Sequence, residues 1–109
     1  MCFKKINQKD IRSIKTPKEA YNYAKSMGKP IPELENIIIQ SSKYSYNYAK
    51  NIIKGRFKKG EDVIAQDPSL SCEYAEDVLK GRFEKGEKAI TQDPYYSKKY
   101  AKEFGLEEL

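Results

Sequence analysis

Apolar and small residues recur along this chain at i, i+3, i+4, i+7 and i+8, the spacing of one helical face rather than the alternation of a strand. The face appears four times: Ala20, Tyr23, Ala24, Met27 and Gly28; Ser45, Tyr48, Ala49, Ile52 and Ile53; Ser71, Tyr74, Ala75, Val78 and Leu79; Ser97, Tyr100, Ala101, Phe104 and Gly105. The Tyr-Ala pairs that mark it begin at 23, 48, 74 and 100, with spacings of 25, 26 and 26 residues. A fixed period of this length marks a stacked repeat array, in which each unit buries its apolar face against its neighbours.

Local signals divide each unit into two helices. Thr16-Pro17, Asp67-Pro68 and Asp93-Pro94 join a capping side chain to a proline at the first helical position, and Ser41 or Ser42 caps the second unit. They predict A helices over about 17–27, 43–54, 69–80 and 95–104, closed by Gly28, Gly55, Gly81 and Gly105, with Gly55 at the place of a left-handed cap. B helices follow over about 31–39, 59–66 and 84–92, the first with Glu33 and Glu35 at the positive end of its dipole. Small residues at the first and third stripe positions let helix backbones approach, and the repeated tyrosine fills the gap between layers while its hydroxyl takes a polar partner. Phe57, Phe83, Ile64 and Ile90 complete the layers.

The predicted fold is therefore all-α: a short α-solenoid of about three stacked helix pairs (16–40, 41–66 and 67–92) closed by a terminal capping helix in 93–109. Residues 1–15 fall outside the period. Ile6, Ile11 and Ile14 among Lys4, Lys5, Lys9, Asp10 and Arg12 suit either a short capping helix or a basic arm.

Composition narrows the functional classes. A chain of 109 residues that is 39% hydrophobic and 34% charged suits one domain with a shallow core shared between helices. The longest aliphatic run, Ile37-Ile38-Ile39, falls far short of the ~20 residues of a membrane span, so no membrane role is expected. Cys2 and Cys72 have no metal-ligand spacing and suit reduced thiols. Histidine is absent, which removes Ser-His and Cys-His nucleophiles and histidine metal sites. Gly55/Gly60 and Gly81/Gly86 repeat as helix stops rather than as a phosphate loop. Neither an enzyme nor a cofactor is expected.

The net charge of +5 is unevenly placed. Residues 1–60 hold 14 Lys/Arg and 4 Asp/Glu, or +10, and residues 61–109 hold 7 and 12, or −5. Within this polarity, Lys54, Arg56, Lys80 and Arg82 recur in Lys-Gly-Arg-Phe turns, where each Arg either holds an anion or pairs with a carboxylate such as Asp62 or Glu87. Residues 43–59 interleave cations and aromatics: Lys43, Tyr44, Tyr46, Tyr48, Lys50, Lys54, Arg56, Lys58 and Lys59, although Tyr48 belongs to the core stripe. The next copy carries Glu73, Glu76 and Glu84 at matching places, so the basic character does not persist along the array. Tyr44, Tyr46, Tyr95 and Tyr96 fall off the core stripe and are expected at the surface as partner contacts.

The string Tyr-Ala…Lys-Gly-Arg-Phe…Gly-Glu…Ile…Asp-Pro over 48–68 and 74–94 resembles a helical repeat of roughly 26 residues found in proteins of tailed phages and large viruses. Lys58 and Glu84 stand where that repeat usually has proline; the first copy keeps the proline at Pro32 but lacks Lys-Gly-Arg. The resemblance implies a viral or mobile-element origin and a host-cytoplasmic location. The resemblance itself assigns no activity, but small proteins of such origin often block a host defence system by binding it. The chain is therefore expected to be a non-catalytic module that inhibits a host macromolecule, such as a CRISPR-type defence nuclease, by binding a host protein or protein–nucleic-acid complex. Two other readings stay open: direct binding of RNA or DNA by the basic N-terminal half, and head-to-tail self-association between the +10 and −5 halves.

Overall fold

Side-chain caps start the A helices where the sequence places them. Thr16 Oγ1 accepts from the Glu19 N–H and donates to Glu19 Oε1. Ser41, rather than Ser42, caps the second A helix by accepting from the Tyr44 N–H at 3.2 Å. Asp67 caps Leu70, and Asp93 caps Tyr95 and Tyr96. Each accepted N–H is a first-turn amide that has no partner within its helix.

The computed structural model describes residues 7–107. Its order is α1 (Gln8–Ser13), α2 (Pro17–Met27), α3 (Pro32–Ile38), α4 (Ser42–Tyr48), α5 (Lys58–Ile64), α6 (Pro68–Glu73), α7 (Glu84–Thr91) and α8 (Pro94–Glu103). Two π-helical segments, Ala49–Ile53 and Tyr74–Leu79, continue α4 and α6. The fold is all-α, with no strand among the described residues. Helices α2, α4, α6 and α8 form the A layer, and α3, α5 and α7 lie in the B layer. The described molecule measures 51 × 28 × 18 Å, the elongated outline of a stack of layers.

The predicted stripe forms the core at its first three positions in the middle copies, while Tyr23, Met27, Ile52, Ile53, Val78, Leu79 and Phe104 are half-buried against it. Tyr48, Tyr74, Tyr100, Ala20, Ala24, Ala49 and Ala75 are buried, with Ile31, Leu34, Ile38, Phe57, Ile64, Phe83 and Ile90 from the B side. Phe57 packs on Tyr48 and Phe83 on Tyr74, with ring centroids 5.0 and 4.9 Å apart. In the last layer Phe104 of the chain's own end packs on Tyr100 at 4.9 Å. Ser45 and Ser71 are also fully buried, and their hydroxyls donate to the carbonyls of Ile38 and Ile64 that end α3 and α5.

Gly60 and Gly86 are not helix stops, as the sequence suggests, but lie inside α5 and α7. A Cβ on Gly86 would stand 2.6 Å from Ser71 Cβ and 2.7 Å from the Phe83 ring, and one on Gly60 would stand 3.0 Å from Ser45 Cβ. The Ser/Gly pair therefore sets how closely A and B helices approach within a layer.

The left-handed caps also differ from expectation. Gly28 and Gly105 take them, at φ 72° and 68°, but in the middle copies Lys54 and Lys80 do, at φ 59° and 53°, and Gly55 and Gly81 do not. The cap comes five residues after Tyr23 and Tyr100 but six after Tyr48 and Tyr74. That extra residue widens the last turn to π geometry, with the Lys54 N–H on the Ala49 carbonyl and the Lys80 N–H on the Ala75 carbonyl. It also accounts for the first spacing being 25 residues instead of 26. Nothing in the structure explains glycine at 55 and 81.

The described part of residues 1–15 forms α1, whose Ile11 and Ile14 are buried in the core. Ile14 lies seven residues after the N-cap Asn7, as Ile38, Ile64 and Ile90 lie after the N-cap residues Ile31, Phe57 and Phe83. Helix α1 thus stands in B-type register. Lys4, Lys5 and Ile6 lie outside the described residues.

Gly86→Ala is expected to lower stability by about 1–3 kcal/mol in denaturant unfolding, because Ser71 and Phe83 leave no room for a methyl group. Gly81→Ala, with no close side chain and no left-handed backbone, should be near neutral. Lys80→Gly should stabilise by up to about 1 kcal/mol by relieving the left-handed backbone of a residue with a Cβ.

Candidate functional site

The repeated tyrosine hydroxyl is the centre of a recurrent polar cluster. In each case an A-helix tyrosine reaches back to the N-terminus of the preceding B helix. Tyr74 Oη accepts from the Phe57 N–H at 2.9 Å and donates to Glu61 Oε2 at 2.7 Å. Tyr48 does the same with Ile31 and Glu35, at 2.9 and 2.7 Å, and Tyr100 with Phe83 and Glu87, at 2.8 and 2.6 Å. Tyr23 accepts from the Asn7 N–H of α1 at 3.1 Å, where Ile11 stands in place of the glutamate.

The arginines of the Lys-Gly-Arg-Phe turns close these clusters. Arg56 Nε and Nη2 donate to the two oxygens of Glu61 at 2.7 and 3.2 Å, and Arg82 grips Glu87 in the same way at 2.8 and 2.9 Å. Such two-point pairing is the strongest that arginine makes with a carboxylate. The hydrogen bonds from Arg82 hold the Glu87 carboxyl below the ordinary range against the opposing effect of burial, and the Tyr100 hydroxyl adds to the lowering. Burial first, then the bond to Glu87, pushes Tyr100 up to about 12, so the phenol stays a donor. Burial likewise raises Tyr48 and Tyr74.

A second ladder joins successive A helices. Tyr21 Oη accepts from Asn51 Nδ2 at 3.0 Å, and one repeat on Tyr46 Oη donates to Asp77 Oδ2 at 2.7 Å. Lys50 lies 3.6 Å from Asp77 and over the Tyr46 ring, and Lys99 lies 3.7 Å from Glu76. In the third copy Cys72 takes the tyrosine position. It is buried, and burial first and Glu76 second push its thiol up to about 11, which favours the protonated form. The B layer has a matching ladder: Lys59 pairs with Glu35 at 3.4 Å and Lys85 with Asp62 at 3.2 Å.

These partners decide where the expected contact residues stand. Tyr46 is buried rather than exposed, because the next A helix covers it and supplies Asp77. Arg56 and Arg82 are held by Glu61 and Glu87; Asp62, the other carboxylate expected for such an arginine, pairs instead with Lys85. Lys50 and Lys59 sit in ion pairs between repeats. Lys54, Lys58 and Lys80 are exposed, Tyr44 is half-buried against Tyr21, and Tyr95 is 66% exposed with its ring edge-on to half-buried Tyr96. The structure therefore separates the eleven into a structural set and a surface set and does not gather them into one cleft. Glu87 was expected as an arginine partner; the bond between each glutamate and the stripe tyrosine is what the sequence reading missed. Its signal was a Glu thirteen residues before Tyr in three successive copies.

Open depressions lie on the surface of the described residues. One, of about 340 Å³, lies between successive turns and is lined by Arg56, Arg82, Phe83, Glu84 and Lys85. Another, of about 600 Å³, runs along α8 past Ser97, Lys98, Ala101 and Lys102. Among the described residues no group of three or more Cys, Asp or Glu could hold a metal ion, and no helix is long and apolar enough to cross a membrane. No family profile, curated protein or solved structure matches the chain.

Tyr74→Phe should destabilise by about 1–3 kcal/mol, because it leaves the buried Phe57 amide without an acceptor and Glu61 without a donor. The lowered Glu87 adds stability that is complete above the ordinary carboxyl value of about 4.3 and is lost as pH falls toward its lower folded value. Urea unfolding should therefore show a smaller loss of stability between neutral and acid pH in Glu87→Gln than in the parent.

Proposed function

We propose that this chain is a non-catalytic protein-binding module that engages its partner through the outer face of the A layer, with Tyr95 as the anchor. The observation that carries this reading is the exposure of Tyr95, the one large apolar side chain standing open to solvent among the described residues. Its ring is oriented by Tyr96, and Lys98, Lys99 and Lys102 share its helix. A rigid aromatic beside cations suits a protein surface with an apolar slot and acidic rim.

The non-catalytic part of the reading follows from how the titratable groups are used. The shifted phenols and carboxylates sit inside structural clasps, the one described thiol is buried, and the turn arginines already hold carboxylates. Direct nucleic-acid binding is less favoured. The outer A face is basic at Lys18, Lys25, Lys43 and Lys50 but acidic at Glu73 and Glu76, which breaks a continuous phosphate track. Inhibition of a host defence nuclease is the narrower form of the proposal, and it rests on the viral-repeat resemblance alone.

Affinity capture from a lysate of a candidate host, with and without nuclease, tests the reading when the parent and Tyr95→Ala are run together. A protein that survives nuclease and falls by about tenfold or more with Tyr95→Ala is the expected result. Recovery only of nucleic acid, equal for both forms, would move the function to the basic N-terminal half.

A further inference from the structure

We propose that copies of this chain associate head to tail, with α1 and α2 of one copy seating on the open side of α8 of the copy before it. Inside the array each A helix is covered on that side by its own B helix and by the next A helix. Ser45 with Ala49, and Ser71 with Ala75, are fully buried in this way. Ser97 and Ala101 stand in the same register on α8, but here they line an open groove of about 600 Å³ with Pro94, Lys98, Lys102 and Leu106. The described array opens on a B-type helix, α1, and closes on an A-type helix, α8, so copies placed in file keep the order of the layers unbroken.

Repeat register states which residues would meet. Tyr21, two residues before the tyrosine of its A helix, packs on Tyr44, four before the tyrosine of the next, with centroids 5.6 Å apart. The same positions across a junction are Lys98 of the leading copy and Glu19 of the following one, which are opposite in charge. In the B layer, Lys59 of α5 reaches Glu35 of α3 at 3.4 Å. The matching pair is Lys9 of the following α1 and Glu87 of the leading α7. Glu87, however, is already held by Arg82, and Lys88 stands beside it as a like charge to Lys9, so the A-layer pair carries the charge match.

The aromatic positions also match. Phe57 and Phe83 cover Tyr48 and Tyr74 from the start of a B helix, whereas α1 offers only Asn7 at that place. Helix α8 needs no ring from a neighbour, because Phe104 already packs on Tyr100.

Recognition rests on these local matches and not on the polarity between the halves. The end at α8 is itself basic through Lys98, Lys99 and Lys102, and the acids Glu76 and Asp77 are already matched to Lys99 and Lys50. Such a junction is heterologous, so it extends into a filament unless its rotation closes a ring.

Sedimentation velocity over a wide concentration range at low salt tests this, with Lys98→Glu and Glu19→Lys compared singly and mixed. The parent should grow past the dimer as concentration rises. Each single variant should associate about tenfold more weakly or worse, since each brings like charges together at the junction. An equimolar mixture should recover association, because the carboxylate introduced in one variant then meets the ammonium introduced in the other. That recovery also shows both variants to be folded. A parent that stays monomeric, a dimer that does not extend, association that survives either substitution, or a mixture that fails to recover would each overturn the proposal.

Discussion

Everything in this molecule hangs on a phenol placed between an amide and a carboxylate. Glu61 is 1% exposed, and a carboxylate buried to that degree is tolerable only with donors around it. Tyr74 supplies one from the next A helix, and Arg56 supplies two from the turn before. The same hydroxyl accepts the Phe57 amide, which would otherwise be a free donor at the start of α5. One oxygen atom thus joins two helices, caps one of them and gives a buried carboxylate a hydrogen-bond donor. The arrangement recurs at Tyr48 and Tyr100, and Tyr23 keeps the amide half of it.

That economy changes the meaning of the turn that recurs within the chain. Lys-Gly-Arg-Phe-x-x-Gly-Glu has the look of an anion-binding loop: cations, glycines and a helix start. In the folded protein the arginine and glutamate satisfy each other, the phenylalanine packs on a tyrosine, and the second glycine lets α5 or α7 lie against a serine. A motif repeated within one chain is first a statement about how that chain stacks. Surface recognition is left to residues that differ between copies, and position 95 carries tyrosine where earlier copies have Lys18, Lys43 and Ser69.

Much of the architecture could be read before the structure because it depends on local chemistry. The caps at Thr16, Asp67 and Asp93, the stripe through Tyr48 and Tyr74, and the all-α class follow from side chains acting within one or two turns. The failures share a cause, which is that tertiary contact overrode local preference. Tyr46 left the surface because Asp77 lies thirty-one residues away in sequence but beside it in space. Gly60 and Gly86 read as stops because their role depends on a neighbouring serine. Lys54 and Lys80 took the left-handed cap because the helix end is set by the π turn, so the glycine that follows is one place too late. Partner contacts were the least legible, since exposure is decided only after every internal pair has formed.

The tyrosine clasp also bears on how such a chain grows. Its two halves lie thirteen to seventeen residues apart and straddle a layer boundary, so a lone unit cut at those boundaries, such as residues 67–92, would carry Tyr74 without Glu61 and Glu87 without Tyr100. Duplicating a window of one full period, by contrast, restores every clasp wherever the cut falls, because the severed half on one side is matched by the copy on the other. Gene duplication therefore needs no privileged breakpoint to lengthen this array.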